Sequence, residues 1–286
     1  MKNQKVWFVT GASKGFGFEI AKAALASGDK VVATVRKNPE QLVANLQNSP
    51  DLLVVVLDVT NEAQVKAGVQ KAKEHFGRID VLVNNAGYGL LGSFEEASDL
   101  ETKKQYDTNV FGLLNVIRQT LPVMRAQKSG HIINISSLFG YGPALPGLGI
   151  YSSTKYAVEG ISEGLAQEVE QFGIRVTAAA PGLFNTDFTS TDSYQPSEIK
   201  LEAYANTVGQ VRQAINGAYG NQPGHPAKLA NVIVTLANSE NPPLHLPIGR
   251  DSVESFKNGT TKVAKDVAEW EEISSSTDHI VTEQVL

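Results

Sequence analysis

The chain has 286 residues, a net charge of -5, 42% hydrophobic and 19% charged residues. That length suits one large α/β domain or two small ones with a sizeable core, and the lack of a basic field argues against nucleic acid and, more weakly, against an anionic membrane surface. No cysteine is present, which excludes disulfides, thiolate chemistry and Cys-ligated zinc, and the five histidines (His75, His131, His225, His245, His279) show no HExxH spacing, so no metal is expected.

In chain order, short β-branched runs alternate with longer helical patterns. KVWFVT (5–10) precedes GFGFEIAKAALASG, KVVATV (30–35) precedes PEQLVANLQN, and DLLVVVLDV (51–59) precedes NEAQVKAGVQKAKEHFG. IDVLVNNAG (79–87) precedes a long helical stretch from about Ser98 to Gln127. GHIINISS (130–137) precedes a helix opening at GIYSSTKYAVEG, and GIRVTAAAPG (173–182) follows it. Continuous apolar strands, each followed by a helix, describe a parallel sheet covered on both faces. Right-handed crossovers make it doubly wound, a Rossmann-like α/β fold. After Pro181 the pattern thins. Residues 187–222 are polar with helical patches, HPAKLANVIVTLANSE reads as a helix, and PPLHLPIG reads as a short last strand. The tail from Arg250 is charged and helical around Trp270. No repeat or linker breaks the chain, so a single domain (1–286) is expected, with a C-terminal extension at 251–286. The opening residues lack a signal-peptide core and no run approaches the ~18 apolar residues of a membrane span, so the expected location is cytoplasmic.

TGASKGFG puts Gly11, Gly15 and Gly17 between a strand and a helix. Glycine lets the backbone turn sharply and lets a pyrophosphate approach the free N–H groups at the helix N-terminus. An NAD site wants a carboxylate at the end of the second strand for the ribose hydroxyls. TVRKNP stands there instead, with Arg36 and Lys37, and Lys14 lies within the glycine loop. A 2′-phosphate would meet these cations, so NADP is favoured over NAD. Asp58 and Val59 end the third strand at the sheet edge where ligands bind, although Asp58 could equally cap the helix starting near Asn61. Small residues at Ala86 and Gly87 permit close approach of a cofactor, and Asn84 and Asn85 can hold neighbouring loops through their amides. Tyr151 and Lys155 are four apart on a helix and share a face. A free phenol, with a pKa near 10, is a weak acid at neutral pH, and a nearby ammonium lowers it.

These motifs, in this order and over residues 4–250, resemble the short-chain dehydrogenase/reductase family. They are T-G-x-x-x-G-x-G at Thr10–Gly17, D-V at Asp58, N-N-A-G at Asn84–Gly87, Asn109 in DTNVFG, Ser137 before Leu138-Phe139-Gly140, Y-x-x-x-K at Tyr151–Lys155, and P-G-x-x-x-T at Pro181–Thr186. The resemblance implies an NADP-dependent oxidoreductase acting on a CH–OH or carbonyl group of a small-molecule substrate. Tyr151 would be the acid, Ser137 the positioning hydrogen-bond donor, Lys155 the cation that acidifies Tyr151 and holds the nicotinamide ribose, and Asn109 the anchor of a proton-relay water. Gly11, Ser13, Lys14, Gly15, Phe16 and Gly17 would hold the pyrophosphate side, and Arg36 the 2′-phosphate. Asp58, Val59, Asn84, Ala86 and Gly87 would line the adenosine side, and Pro181, Gly182, Leu183 and Thr186 the nicotinamide. Substrate contacts are expected from Tyr88–Leu91, Phe139–Leu148, Leu183–Phe184 and the 187–222 segment, which the resemblance implies is a variable substrate lid. The aromatic residues of these stretches (with Tyr141, Phe188 and Tyr194) suit a hydrophobic carbonyl compound. Some relatives bind NADP as sensors without catalysis; they typically lose the tyrosine or lysine, which this chain keeps. The family often assembles as homodimers or homotetramers through its helices near 98–127 and 150–172, one of whose surfaces the tail after Arg250 could cover.

Overall fold

The computed structural model describes residues 4–185, 194–217 and 222–278. Its strands are β1 (Val6–Val9), β2 (Lys30–Val35), β3 (Leu52–Val56), β4 (Val81–Asn84), β5 (Gly89–Leu91), β6 (Gly130–Ile135), β7 (Ile174–Pro181), β8 (Tyr194–Pro196) and β9 (His245–Ile248). Among the described residues seven of them form one parallel sheet in the order β3-β2-β1-β4-β6-β7-β9. The remaining two, β5 and β8, pair in parallel as a separate ribbon.

The side-chain period of two explains the layers. On β1, Trp7 and Val9 face one side and Val6 and Phe8 the other, and all four are buried. Trp7 and Val9 pack with Ile20, Ala21 and Ala24 of α1 (Gly15–Ala26), and with Leu42 of α2 (Pro39–Asn45). Val6 and Phe8 pack with Val65, Val69 and Ala72 of α3 (Glu62–Phe76). The Trp7 indole N–H donates to Asp29 Oδ2 at 2.9 Å, which ties β1 to the turn before β2. Strands covered on both faces need no polar alternation, which is why they read as continuous apolar runs.

The expected 98–127 helix is present but not uniform. The helix α4 (Asp99–Tyr106) starts at a reciprocal capping box between Ser98 and Glu101. It passes through a π-helical turn, Asp107–Gly112, and continues as α5 (Leu113–Gln127). The π turn carries Asn109 and widens the helix where it meets α6 (Gly149–Val169). The chain then runs through α7 (Gln210–Gly217) and α8 (Pro226–Ala237), the latter packing beside α1 and against β1. Last comes α9 (Arg250–Ser275). Among the described residues no helix is long and apolar enough to cross a membrane.

Candidate active site

The strand order reverses between β1 and β4, and the carboxyl ends of the strands open there onto a cavity of about 1400 Å³. One end is built from backbone. Gly11 adopts φ +65° and Gly15 φ +59°, so the loop after β1 can turn sharply before α1. A Cβ at Gly11 would press on Ala86 at 3.0 Å, and one at Gly17 would collide with the Gly11 carbonyl oxygen. The loop is pinned from the next strand: Asn85 Nδ2 donates to the Thr10 and Gly11 carbonyls, each at 3.0 Å, and Thr10 Oγ1 accepts from the Asn85 and Ala86 N–H groups. Among the described residues the N-cap position of α1, Lys14, makes no side-chain capping bond, and the first residues of the helix, Gly15 and Phe16, line the cavity. Such a helix end favours an anion. Arg36, exposed at the end of β2, stands on the same wall, and no carboxylate ends that strand.

The other end is built from side chains. Tyr151 and Lys155 lie on the buried face of α6, while Tyr156 turns away, half-exposed, with its hydroxyl donating to Gly142 O at 3.3 Å. Ser137 follows β6 and lies close enough to the Tyr151 hydroxyl to lower its pKa; its Oγ accepts from Phe139 N at 3.2 Å. Ser136, one residue earlier, turns toward Glu159 of α6. Lys155 Nζ donates to Ile135 O at 2.8 Å and lies 5.8 Å from the centre of the Tyr151 ring. Burial drives Lys155 down to about 8, partly offset by Glu159, and drives Tyr151 up to about 12, partly offset by Ser137. The expected lowering of the phenol pKa is therefore not a property of the protein groups alone, because desolvation raises it more than Ser137 lowers it.

Beyond Tyr151 an apolar patch of Leu138, Phe139, Leu148, Tyr194, Val211 and Ile215 lines the cavity, with the polar Gln195, Asn206, Thr207 and Gln210 also on its wall. Residues 194–217 roof this end. They are fastened by Glu96, which is buried and accepts from Ser93 N at 2.8 Å, Leu201 N at 3.0 Å and Arg212 Nη2 at 2.6 Å. Burial alone would raise the Glu96 carboxyl, but these donors overcome it and hold it at about 2.

The family assignment follows from comparison. A sequence model of the family described as short chain dehydrogenase matches residues 5–196. The chain belongs to that family. It is 40% identical over 272 residues to oxidoreductase BOA17 of Botryotinia fuckeliana, covering 94% of this chain and 98% of that one. It is 38% identical over 245 residues to 3-ketodihydrosphingosine reductase of Bacteroides thetaiotaomicron, covering 86% and 88%. A solved short-chain dehydrogenase from Streptomyces avermitilis superposes with a TM-score of 0.88 at 40% identity, covering 97% of this chain and all of that one. Solved relatives carry a nicotinamide dinucleotide: ElxO holds NADP, at 30% identity, and the Brucella melitensis 3-ketoacyl-(acyl-carrier-protein) reductase holds NADH, at 27%.

In this short-chain dehydrogenase the expected site residues are mostly brought together. Gly11, Ser13, Lys14, Gly15, Phe16, Arg36, Asp58, Val59, Ala86, Gly87, Ser137, Tyr151, Lys155, Pro181, Gly182 and Leu183 all line the one cavity. Three do not. Asn84 points into the sheet, where its Nδ2 donates to Asn134 Oδ1 at 2.9 Å, and Asn85 takes the cavity wall instead. Gly17 serves close packing of α1 on the loop. Asn109 sits behind the wall, with Oδ1 accepting from Tyr88 N at 3.1 Å and Nδ2 donating to Tyr88 O at 2.9 Å and Thr154 Oγ1 at 3.1 Å. Lys37 is exposed and off the wall, and the cap of α3 falls to Asn61 rather than Asp58, whose Oδ1 binds Thr60. Thr186, Phe188 and His279 lie outside the described residues.

Two further departures concern the substrate side. Of Tyr88–Leu91 only Tyr88 reaches the cavity, because Gly89–Leu91 form β5. Tyr141 stacks on Phe256 of α9 at 4.6 Å instead of facing the cavity. The N–H of Leu183, a residue expected to line the nicotinamide, donates to Asp251 Oδ2 at 2.6 Å. No spacing rule could have indicated Asp251, which is 68 residues away. The C-terminal extension also packs elsewhere than expected. Its first turns lie under the Leu138–Gly142 loop, with Ser255 Oγ donating to Leu138 O at 3.3 Å and Ser252 Oγ to Ala180 O at 2.7 Å.

Proposed function

We propose that this chain is an NADP-dependent oxidoreductase that moves hydride between NADPH and the carbonyl carbon of an apolar ketone or aldehyde, or in reverse oxidises the alcohol. The observation that carries this is a single cavity with Ser137, Tyr151 and Lys155 on its wall, an anion-favouring backbone end on one side and an apolar end on the other. The residues present fit a dinucleotide: Gly11 and Gly15 leave backbone where side chains would stand, the N-terminus of α1 suits a pyrophosphate, and Arg36 without a neighbouring carboxylate suits a 2′-phosphate. Asp58 and Val59 would hold the adenine, and Pro181, Gly182, Leu183 and Thr186 the nicotinamide side. NADPH supplies the hydride when bound.

The chain's own residues handle the oxygen. The Ser137 hydroxyl donates to the carbonyl oxygen and stabilises the charge that develops there. The Tyr151 phenol gives its proton to that oxygen, and the buried Lys155 ammonium stabilises the phenolate left behind. Desolvation keeps Tyr151 protonated until that oxygen becomes basic enough to take the proton. Asn109 fixes Tyr88 and the π turn, and so the wall facing Tyr151. The segment 194–217 acts as a lid that excludes water from the apolar end. The name of the Bacteroides thetaiotaomicron relative, a reductase of a 3-keto compound, supports a ketone substrate.

The test is NADPH oxidation by the purified wild-type chain across a panel of ketones and aldehydes of increasing alkyl length. Turnover that improves with apolar length and prefers NADPH over NADH is expected. NADPH binding with no turnover anywhere on the panel would instead favour a non-catalytic NADP sensor.

A further inference from the structure

The helix α9 carries an apolar stripe that no described residue covers. Its first half is seated: Ser252 and Phe256 are buried, Phe256 stacks on Tyr141, and a Cβ at Gly259 would press on the Tyr141 carbonyl at 2.6 Å. From Thr261 to Ser275 every residue is exposed. These 15 residues extend about 22 Å at 1.5 Å per residue. On the face that continues from Phe256 stand Val263, Val267, Trp270 and Ile273, which are 59–63% exposed. Their spacing of four, three and three residues makes one stripe, not scattered surface apolar side chains. A free helix of this length is marginal in water without a partner for its apolar face.

The charges along the same segment say what that partner is. Lys257, Lys262 and Lys265 come first, then Asp266, Glu269, Glu271 and Glu272. This order is unfavourable to the helix itself. Carboxylates crowd the last turns, which hold no basic residue and where the helix dipole is negative. The Lys265–Glu269 pair, at 3.5 Å, has the lysine N-terminal, the weaker orientation. The segregation becomes favourable when a second copy lies antiparallel across the stripe, because the basic half of each helix then faces the acidic half of the other and the dipoles oppose. Such pairing is self-complementary, as a two-fold contact must be. An anionic membrane surface would be repelled by the acidic half.

We propose that residues 261–275 of α9 form a two-fold, antiparallel contact with the same segment of a second copy of this chain. Val267 then lies near the axis and Val263 packs against the Trp270–Ile273 turn of the other copy. The contact is separate from the catalytic cavity and independent of the reaction assigned to it.

The lack of native cysteine makes the test direct. In the full chain, Val267→Cys should form a covalent dimer under mild oxidation at micromolar concentration. Ala268→Cys, on the opposite face, should not. Adding Trp270→Glu to Val267→Cys should abolish the cross-link with the far-ultraviolet circular dichroism unchanged. Within the Val267→Cys chain, Lys262→Glu with Lys265→Glu should suppress it, Glu271→Lys with Glu272→Lys should suppress it, and mixing the two should restore it. Equal cross-linking of Val267→Cys and Ala268→Cys, no cross-link at position 267, or a cross-link indifferent to Trp270→Glu would overturn the proposal. Trp270-dependent sedimentation with phosphatidylcholine–phosphatidylserine vesicles, without a cross-link, would overturn it in favour of a membrane contact.

Discussion

The two ends of the cavity are made by different means. The dinucleotide end is backbone: turns after β1 to β4, glycines at positive φ, and amides from one loop pinning the next, as Asn85 pins Thr10 and Gly11. Its contacts link strand ends adjacent in the sheet, β1 and β4, and a few small residues at fixed spacing specify it. The apolar end is side chains brought from distant parts of the chain: Phe139 from the loop after β6, Tyr194 from β8, Val211 and Ile215 from α7. It is fastened by the ion pair Arg212–Glu96, whose carboxylate is buried and whose partners are 116 residues apart. A fixed end and a fastened end suit a common cofactor and a variable substrate. Tyr151 stands between them.

The largest effect expected is at that junction. Lys155→Met removes the buried ammonium and leaves the phenolate of Tyr151 unstabilised. Turnover should fall by about 10²–10⁴, the range for loss of a proton-transfer group, while Tyr156→Phe changes nothing. Steady-state NADPH oxidation on the best substrate measures both.

The next tests separate the two ends. Glu96→Gln leaves Arg212 without its charged partner and unfastens the lid, so KM for the ketone should rise by at least about tenfold with NADPH affinity unchanged. The Glu96 anchor of residues 194–217 is also pH-dependent. The Glu96 carboxyl, ordinarily near 4.5, is held at about 2, so its stabilisation is present above pH 4.5 and is lost as pH falls toward 2. Arg36→Asp should do the opposite to Glu96→Gln. NADPH affinity should drop by about tenfold to a hundredfold, as for loss of a charge-assisted hydrogen bond, with the ketone KM unchanged and NADH gaining. Titrations of each variant with both dinucleotides check this. A variant that moves both ends together would show that they are not separately built.

Much of this architecture was legible beforehand, and the boundary of what was legible is physical. The strands and the T-G-x-x-x-G-x-G loop are local patterns, and so is the Tyr151–Lys155 pair, whose members share a helix face by construction. The doubly wound parallel sheet followed from the alternation of apolar strands and helices with right-handed crossovers, whereas the strand order is read from the structure. What stayed hidden was set by partners far away in sequence or by solvent. The π turn that carries Asn109 has no periodicity signal, since it adds a residue to a helix that reads as continuous. Asn84 and Asn85 are neighbours of one type, and only strand pairing decides that the first faces Asn134 and the second the glycine loop. Asp251 reaches Leu183 across 68 residues. Proximity of Tyr151 to a lysine is visible in a sequence, whereas the burial that raises its phenol in the protein alone is not.

The smallest effect expected is on pH. Lys155, driven down to about 8, is charged below that value and neutral above it. The reductive kcat/KM should therefore be level at neutral pH and decline as pH rises through about 8, by roughly tenfold per unit well above it. In stability the sign is set by His131, which burial holds down to about 3 against an ordinary 6.5. The unfolded chain binds a proton there that the folded chain refuses, so stability should fall as pH drops from 6.5 toward 3, which chemical denaturation at a series of pH values would record.

The most direct measurement is made on Tyr151→Phe, with cofactor binding and turnover read from the same preparation. Tyr151 joins a backbone-built dinucleotide end to a side-chain-built substrate end. Loss of its hydroxyl should therefore leave NADPH affinity within about threefold of wild type while ketone reduction falls by about 10²–10⁴. Turnover retained within about tenfold would contradict the assignment of Tyr151 as the proton donor, and NADPH binding lost together with turnover would contradict the separation of the two ends.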